Sequence, residues 1–169
     1  CALIRVAGAN RARASIRQYR RTVCEVHRGR KGDDRTWEIK AEALAEMCLE
    51  LGVSVGAPAV VFANGDATVK FLLAQLRSRG IGATEHLADW RRGREDSVVL
   101  VATDALARGI DHQHCLFAFQ FELPHRDTKE NYVHRIGRCG RFGRDGCAIT
   151  LAVEGAGYER EEFRRLEDV

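Results

Sequence analysis

Three short apolar runs limit what this chain can become: Ala59-Val60-Val61-Phe62-Ala63 and Val98-Val99-Leu100-Val101-Ala102, both uninterrupted, and Leu116 to Phe121, broken only by Gln120. Runs this short, without polar alternation, are the pattern of strands covered on both faces, as in a parallel sheet with helices above and below. The segments between them supply those helices. Trp37, Ala41, Leu44, Cys48 and Leu51 recur at helical spacing before Gly52, and Val69, Leu72, Leu73 and Leu76 follow i, i+3, i+4, i+7 before Gly80. Asn64-Gly65 is also a hairpin signal, but the helical pattern after it makes strand-turn-helix the better reading. Thr103 and Asp104 stand where they can cap a short helix over Ala105 to Arg108. Residues from Asp127 to about Cys139 read as a helix, Cys147 to Val153 as a strand and Tyr158 to Leu166 as a terminal helix. Strands alternating with helices predict an α/β layered fold with a mainly parallel sheet. Ligands of such sheets gather at the carboxyl ends of the strands, here at Asn64-Gly65, at Thr103-Asp104 and in the polar segment before Asp127.

At 169 residues and 45% apolar content, the chain is the size of one domain with a continuous core. A net charge of +3 is too small to announce a polyanion partner by itself. The basic residues are nearly all arginine, with lysine only at 31, 40, 70 and 129, and arginine suits bidentate contact with phosphate. No apolar run approaches the ~20 residues that cross a bilayer, so a soluble protein without a membrane partner is expected. The six cysteines form no CxxC pair, which fits a reduced intracellular protein of the cytoplasm, nucleus or an organelle. His112-Gln113-His114-Cys115 offers too few ligands for a tetrahedral metal site. Because the sequence opens on Cys1 within ordinary sequence, a fragment of a longer protein is expected.

Chemistry concentrates in Tyr132-Val133-His134-Arg135-Ile136-Gly137-Arg138-Cys139-Gly140-Arg141-Phe142-Gly143-Arg144. On a helix, Tyr132, Ile136 and Cys139 form one stripe, while His134, Arg138 and Arg141 form the opposite one. One side anchors and the other presents cations. Gly137 and Gly140 are expected to let a phosphate-bearing partner approach the backbone beside the arginines. A second segment, Val101-Ala102-Thr103-Asp104 through Arg108-Gly109-Ile110-Asp111, ends a buried strand in a hydroxyl, two carboxylates and a glycine, groups that hold sugar hydroxyls and phosphates. It is not the magnesium-binding strand of a P-loop enzyme, since the chain contains no GxxxxGK[ST].

In order along the chain, Val60-Val61-Phe62-Ala63-Asn64, then Ala102-Thr103-Asp104 with Arg108-Gly109-Ile110-Asp111, then His134-Arg135-Ile136-Gly137-Arg138 with Gly140-Arg141, resemble motifs IV, V and VI of DEAD-box RNA helicases. Glu122-Leu123-Pro124 falls where that family has Asp-Leu-Pro. The resemblance runs from Ile16-Arg17-Gln18-Tyr19 to about Val153. It implies a RecA-like three-layer sandwich, a mainly parallel central sheet flanked by helices, forming one C-terminal lobe over residues 1–169 of a two-lobed, ATP-dependent enzyme. It implies further that Arg138 and Arg141 are catalytic arginine fingers reaching ATP, that Asp111 holds the ATP ribose, and that His134 and Arg135 face the other lobe. Asn64, Gly65, Thr103, Asp104, Arg108 and Gly109 are implied to line the RNA backbone. Mg2+ is expected to be bound mainly by the N-terminal RecA-like lobe, which also holds the phosphate loop, so this lobe alone is expected to be inactive. RNA, that lobe and protein cofactors are the expected partners of a monomer. A non-catalytic RNA- or protein-binding scaffold of the same fold is the alternative.

The chain departs from the family pattern in places. After the strand ending near His86 the family has a turn and a helix carrying RNA-contacting Gln and Arg, whereas His86 runs directly into Leu87-Ala88-Asp89-Trp90-Arg91-Arg92-Gly93, about ten residues shorter. Either that segment has been lost, or the sequence joins two pieces across a loop, which is the favoured reading. Glu122 in place of Asp, Cys139 in place of Thr, and Ala63-Asn64-Gly65 at the end of motif IV are milder departures.

Overall fold

The computed structural model describes residues 3–5, 16–23, 34–107, 115–124, 128–140 and 145–153. The predicted terminal helix over 158–166 lies outside them. Its elements in chain order are β1 (Leu3–Arg5), β2 (Ile16–Val23), α1 (Asp34–Glu50), β3 (Ala59–Phe62), α2 (Asp66–Ser78), β4 (Ala83–Thr84), α3 (Leu87–Arg91), β5 (Val99–Ala102), α4 (Asp104–Ala107), β6 (Phe117–Gln120), α5 (Thr128–Ile136) and β7 (Gly146–Val153). The strands form one seven-stranded sheet in the order β1-β2-β7-β6-β3-β5-β4. Every pairing is parallel except that of β1 with β2, which adds an antiparallel edge.

The apolar runs lie where continuous hydrophobicity requires, at the centre. All four residues of β3 are fully buried between β5 and β6. Successive side chains of a strand point to opposite faces, so the runs feed two cores. Val61, Val99, Val101, Phe119 and Ile149 pack against Leu44, Met47, Leu72 and Leu76 of α1 and α2. On the other face Val60, Phe62, Leu100, Ala102 and Ala148 meet Trp90, Tyr132 and Ile136 of α3 and α5. These are the three layers expected, and the fold is RecA-like.

β4 passes to α3 without a long connection. The amide of His86 donates to Thr84 Oγ1 at 3.0 Å, and the amides of Asp89 and Trp90 donate to the His86 carbonyl at 3.1 Å. Trp90 is buried with its Nε1 donating to the Val98 carbonyl at 3.2 Å, and the Trp37 ring tilts against Phe71 at 5.6 Å; both are packing residues. No helix among the described residues is long and apolar enough to cross a membrane.

Candidate functional site

The loops leaving β3, β5 and β6 meet on one side chain. Arg135, on the inner side of α5, is 1% exposed. Its Nε lies 2.6 Å from Asp104 Oδ1 and its Nη2 2.8 Å from Oδ2, a bidentate ion pair. Nη2 also donates to Asn64 Oδ1 at 2.8 Å, while Nη1 donates to the Glu122 carbonyl at 2.6 Å and to Gln120 Oε1 at 3.4 Å. All five guanidinium N–H groups therefore have an acceptor. The ring of Phe62 lies 5.3 Å from the guanidinium carbon, so its π face adds to the pairing. Burying a cation is costly unless it is paired and hydrogen-bonded throughout, and this one is. Glu122 closes the circuit: its Oε2 accepts the backbone N–H of Asn64 at 2.7 Å, and Asn64 Nδ2 donates to the Leu123 carbonyl at 2.8 Å.

This placement corrects one expectation. Arg135 does not face outward toward a second lobe; its guanidinium is enclosed by its own domain. The helical wheel carried the signal. At about 100° per residue, Arg135 falls within about 60° of Tyr132 and about 40° of Cys139, on the buried stripe. Its charge suggested the surface, whereas its position along the helix put it inside. Asn64 and Asp104, expected on the RNA backbone, turn their side chains to Arg135, and Gly65 and Thr103 stand beside them at the ends of β3 and β5.

The outer side of α5 is arranged as the stripes predict. Tyr132, Ile136 and Cys139 are buried, His134 is exposed and Arg138 is partly exposed. Arg138 Nε donates to the His134 carbonyl at 3.1 Å. Tyr132 is anchored by its hydroxyl, 3.1 Å from Gln18 Oε1 and 3.4 Å from Thr150 Oγ1, and its burial raises the phenol's pKa above the ordinary value. The helix ends at Ile136, earlier than predicted, and a turn follows. Gly140 closes that turn with φ +66°, a conformation that favours glycine. It is also buried against β7, because a Cβ on Gly140 would stand 3.0 Å from Gly146 N and from Ile16 Cγ1. Gly140 thus serves internal packing, not the approach of an outside phosphate. Through Gly140 the turn is seated over the beginnings of β2 and β7. The candidate site therefore has two parts, a strand-end edge and an outer helix stripe, with Arg135 between them.

Asp111, Arg108, Gly109 and Arg141 lie outside the described residues. Cys139 is a buried thiol donating to the Ile136 carbonyl at 3.2 Å. Sequence reasoning gave no role to Gln120 or Phe62 in the arginine's cage. Their only signal was position, at the carboxyl ends of adjacent strands in register.

Comparison with known proteins bears on this geometry. The helicase conserved C-terminal domain family matches residues 39–143, more than half of the chain. An ATP-dependent RNA helicase eIF4A of Scheffersomyces stipitis is 39% identical over 118 residues, covering 62% of this chain and 29% of that protein. Dbp5 of S. cerevisiae bound to RNA and ADP BeF3 superposes with a TM-score of 0.63 at 28% identity, covering 79% of this chain and 37% of that one. A Dbp5 variant bound to Gle1 and IP6 gives a TM-score of 0.70 at 26% identity, covering 93% and 41%. The chain spans about a third of the length of the curated relatives it matches. With that family model matching more than half of the chain, and DEAD-box proteins among the sequence relatives and structural neighbours, the chain belongs to the helicase conserved C-terminal domain family and is a RecA-like domain of the DEAD-box RNA helicase kind.

Proposed function

We propose that this chain is the C-terminal lobe of a two-lobed, ATP-dependent RNA helicase, to which it supplies arginine fingers and part of the surface along the RNA backbone. The observation that carries the reading is the division of labour on α5. Arg135 is buried and holds the helix to three strand ends, while His134 and Arg138 stand on its outer side. A guanidinium and an imidazole beside Gly137 are a donor set that fits the phosphates of a nucleotide. Arg138, with Arg141, would place positive charge where phosphoryl charge develops, which is worth roughly a thousand-fold or more in rate. Asp111 would hold the ribose and His134 would contact the other lobe. ATP and Mg2+ would be gripped mainly by an N-terminal RecA-like lobe of the same protein, which carries the phosphate loop this sequence lacks, so the lobe by itself does not hydrolyse ATP.

On the strand-end edge, Gly65 is the N-cap of the thirteen-residue α2 and has open space where a side chain would be. First-turn amides of a helix attract phosphate. Together with Thr103, Arg108 and Gly109 this edge would follow an RNA backbone through phosphate and 2′-hydroxyl, giving little sequence preference. A monomer inside the cell, working with protein cofactors, completes the proposal. In the two-lobed protein, Arg138→Ala and Arg141→Ala are each expected to lower RNA-stimulated ATP hydrolysis by roughly a hundredfold or more while RNA affinity persists. Wild-type rates in both variants would remove the finger assignment and favour the scaffold reading.

A further inference from the structure

We propose that Arg135 is a positioning residue that locks the two strand-end loops of the candidate RNA edge to α5, and so to the turn after it that carries Arg138, with Asn64 and Asp104 acting through it. The inference rests on the proposed function for its consequence but on geometry for its substance. Bonds from one guanidinium reach Asn64 after β3, Asp104 after β5 and the Glu122 carbonyl after β6. Each of these three groups lies at least 13 residues from Arg135 in sequence, so only the fold brings them together. The lock is doubled at Asn64, whose backbone N–H is held by the Glu122 carboxylate and whose amide holds the Leu123 carbonyl. Asn64 and Glu122 are two of the positions where this sequence departs from the family pattern, and they are partners here. A planar fork that meets acceptors on three loops has few alternative arrangements. Movement of the β3 or β5 loop by a ligand must therefore be transmitted to α5 or must break the fork.

Lysine at 135 keeps the charge and much of the stem but can hold only part of the set. The test compares the two-lobed protein with its Arg135→Lys, Asp104→Asn and double variants by two readouts. The first is amide hydrogen exchange. Arg135→Lys is expected to lower the stability of the whole domain and so the protection of the strand cores over 59–62 and 99–102, and to accelerate exchange at Asn64 and over 63–66 and 103–105 by a further factor of at least about ten beyond that common loss. Acceleration by the same factor at these loops and in the cores would mean that Arg135 only stabilises, and would overturn the proposal. Unchanged exchange at Asn64 would overturn it equally. The second readout is the ratio of ATPase rates with and without saturating RNA. Each single variant is expected to lower this ratio by at least about tenfold, and the double variant no further, because residues acting as one unit are non-additive. If the wild-type protein shows no RNA-stimulated hydrolysis, the functional reading fails while the exchange result still decides the lock. If stimulation is present and Arg135→Lys retains it, the positioning role fails while the functional reading stands.

Discussion

Arg135→Ala is the perturbation whose cost the structure specifies most fully. The truncation empties a site that is 1% exposed and leaves Asn64 Oδ1, Gln120 Oε1, the Glu122 carbonyl and the Asp104 carboxylate without their donor. Breaking a buried ion pair from one side costs about 3–5 kcal/mol, and each buried acceptor left unsatisfied about 1–3 kcal/mol. Two facts reduce that sum. Asp104 is 39% exposed at its side chain and can recover water, and the contact to Gln120, at 3.4 Å, is long and weak. A loss of about 4–6 kcal/mol remains, comparable to the whole stability of a domain at the lower end of the usual range. Asp104→Asn, which keeps a carbonyl oxygen toward Arg135 at a half-open position, is expected to lose about 1–3 kcal/mol. The assay is urea unfolding followed by circular dichroism, reading the midpoint at constant slope. The reasoning is refuted if Arg135→Ala unfolds within about 1 kcal/mol of wild type, or if Asp104→Asn is the more damaging change.

Other consequences are open to simpler measurements. A Cβ on Gly146 would overlap the backbone of Gly140, so Gly146→Ala should cost about 1–3 kcal/mol and lower the melting temperature, whereas Gly56→Ala, with nothing within 4 Å of its Cβ, should leave it unchanged. Burial pushes the Cys48 thiol from 9.0 up to about 12. Below pH 9 both folded and unfolded thiols are protonated and the stabilisation is complete; it is lost as pH rises from 9 toward 12, by about 2 kcal/mol at pH 10.5. Wild type should therefore lose more melting temperature between pH 8 and 10.5 than Cys48→Ala does, and equal losses would contradict the assignment. Cys147, also raised by burial, to about 11, should like Cys48 resist alkylation at pH 8 until the protein unfolds.

Much of the sheet was legible because β3, β5 and β6 are central, and burial on both faces writes itself as continuous hydrophobicity, interrupted in β6 only by the buried Gln120. β1 and β2 were not. Ile16–Val23 carries three arginines, and only the alternation of buried Ile16 and Gln18 with exposed Arg17 betrays a strand near the sheet's margin. The ordering of Tyr132, Ile136 and Cys139 against His134 and Arg138 was readable from helical spacing alone. The inward turn of Arg135 was open to the same spacing but was masked by its charge, because the acceptors that make burial of that charge possible come from three distant loops and leave no trace in a single-sequence pattern. Asn64 and Glu122 looked like mild departures from a motif until the fold set them 2.7 Å apart.

The most direct measurement of the central claim is single-turnover ATP hydrolysis by the two-lobed protein, with saturating nucleotide and RNA, for wild type and Arg138→Ala. The account predicts a chemical step slowed by roughly a hundredfold or more, with nucleotide and RNA still bound. An unchanged step, or a loss that disappears when more nucleotide is supplied, would show that Arg138, in the turn after α5, does not reach the reacting phosphate.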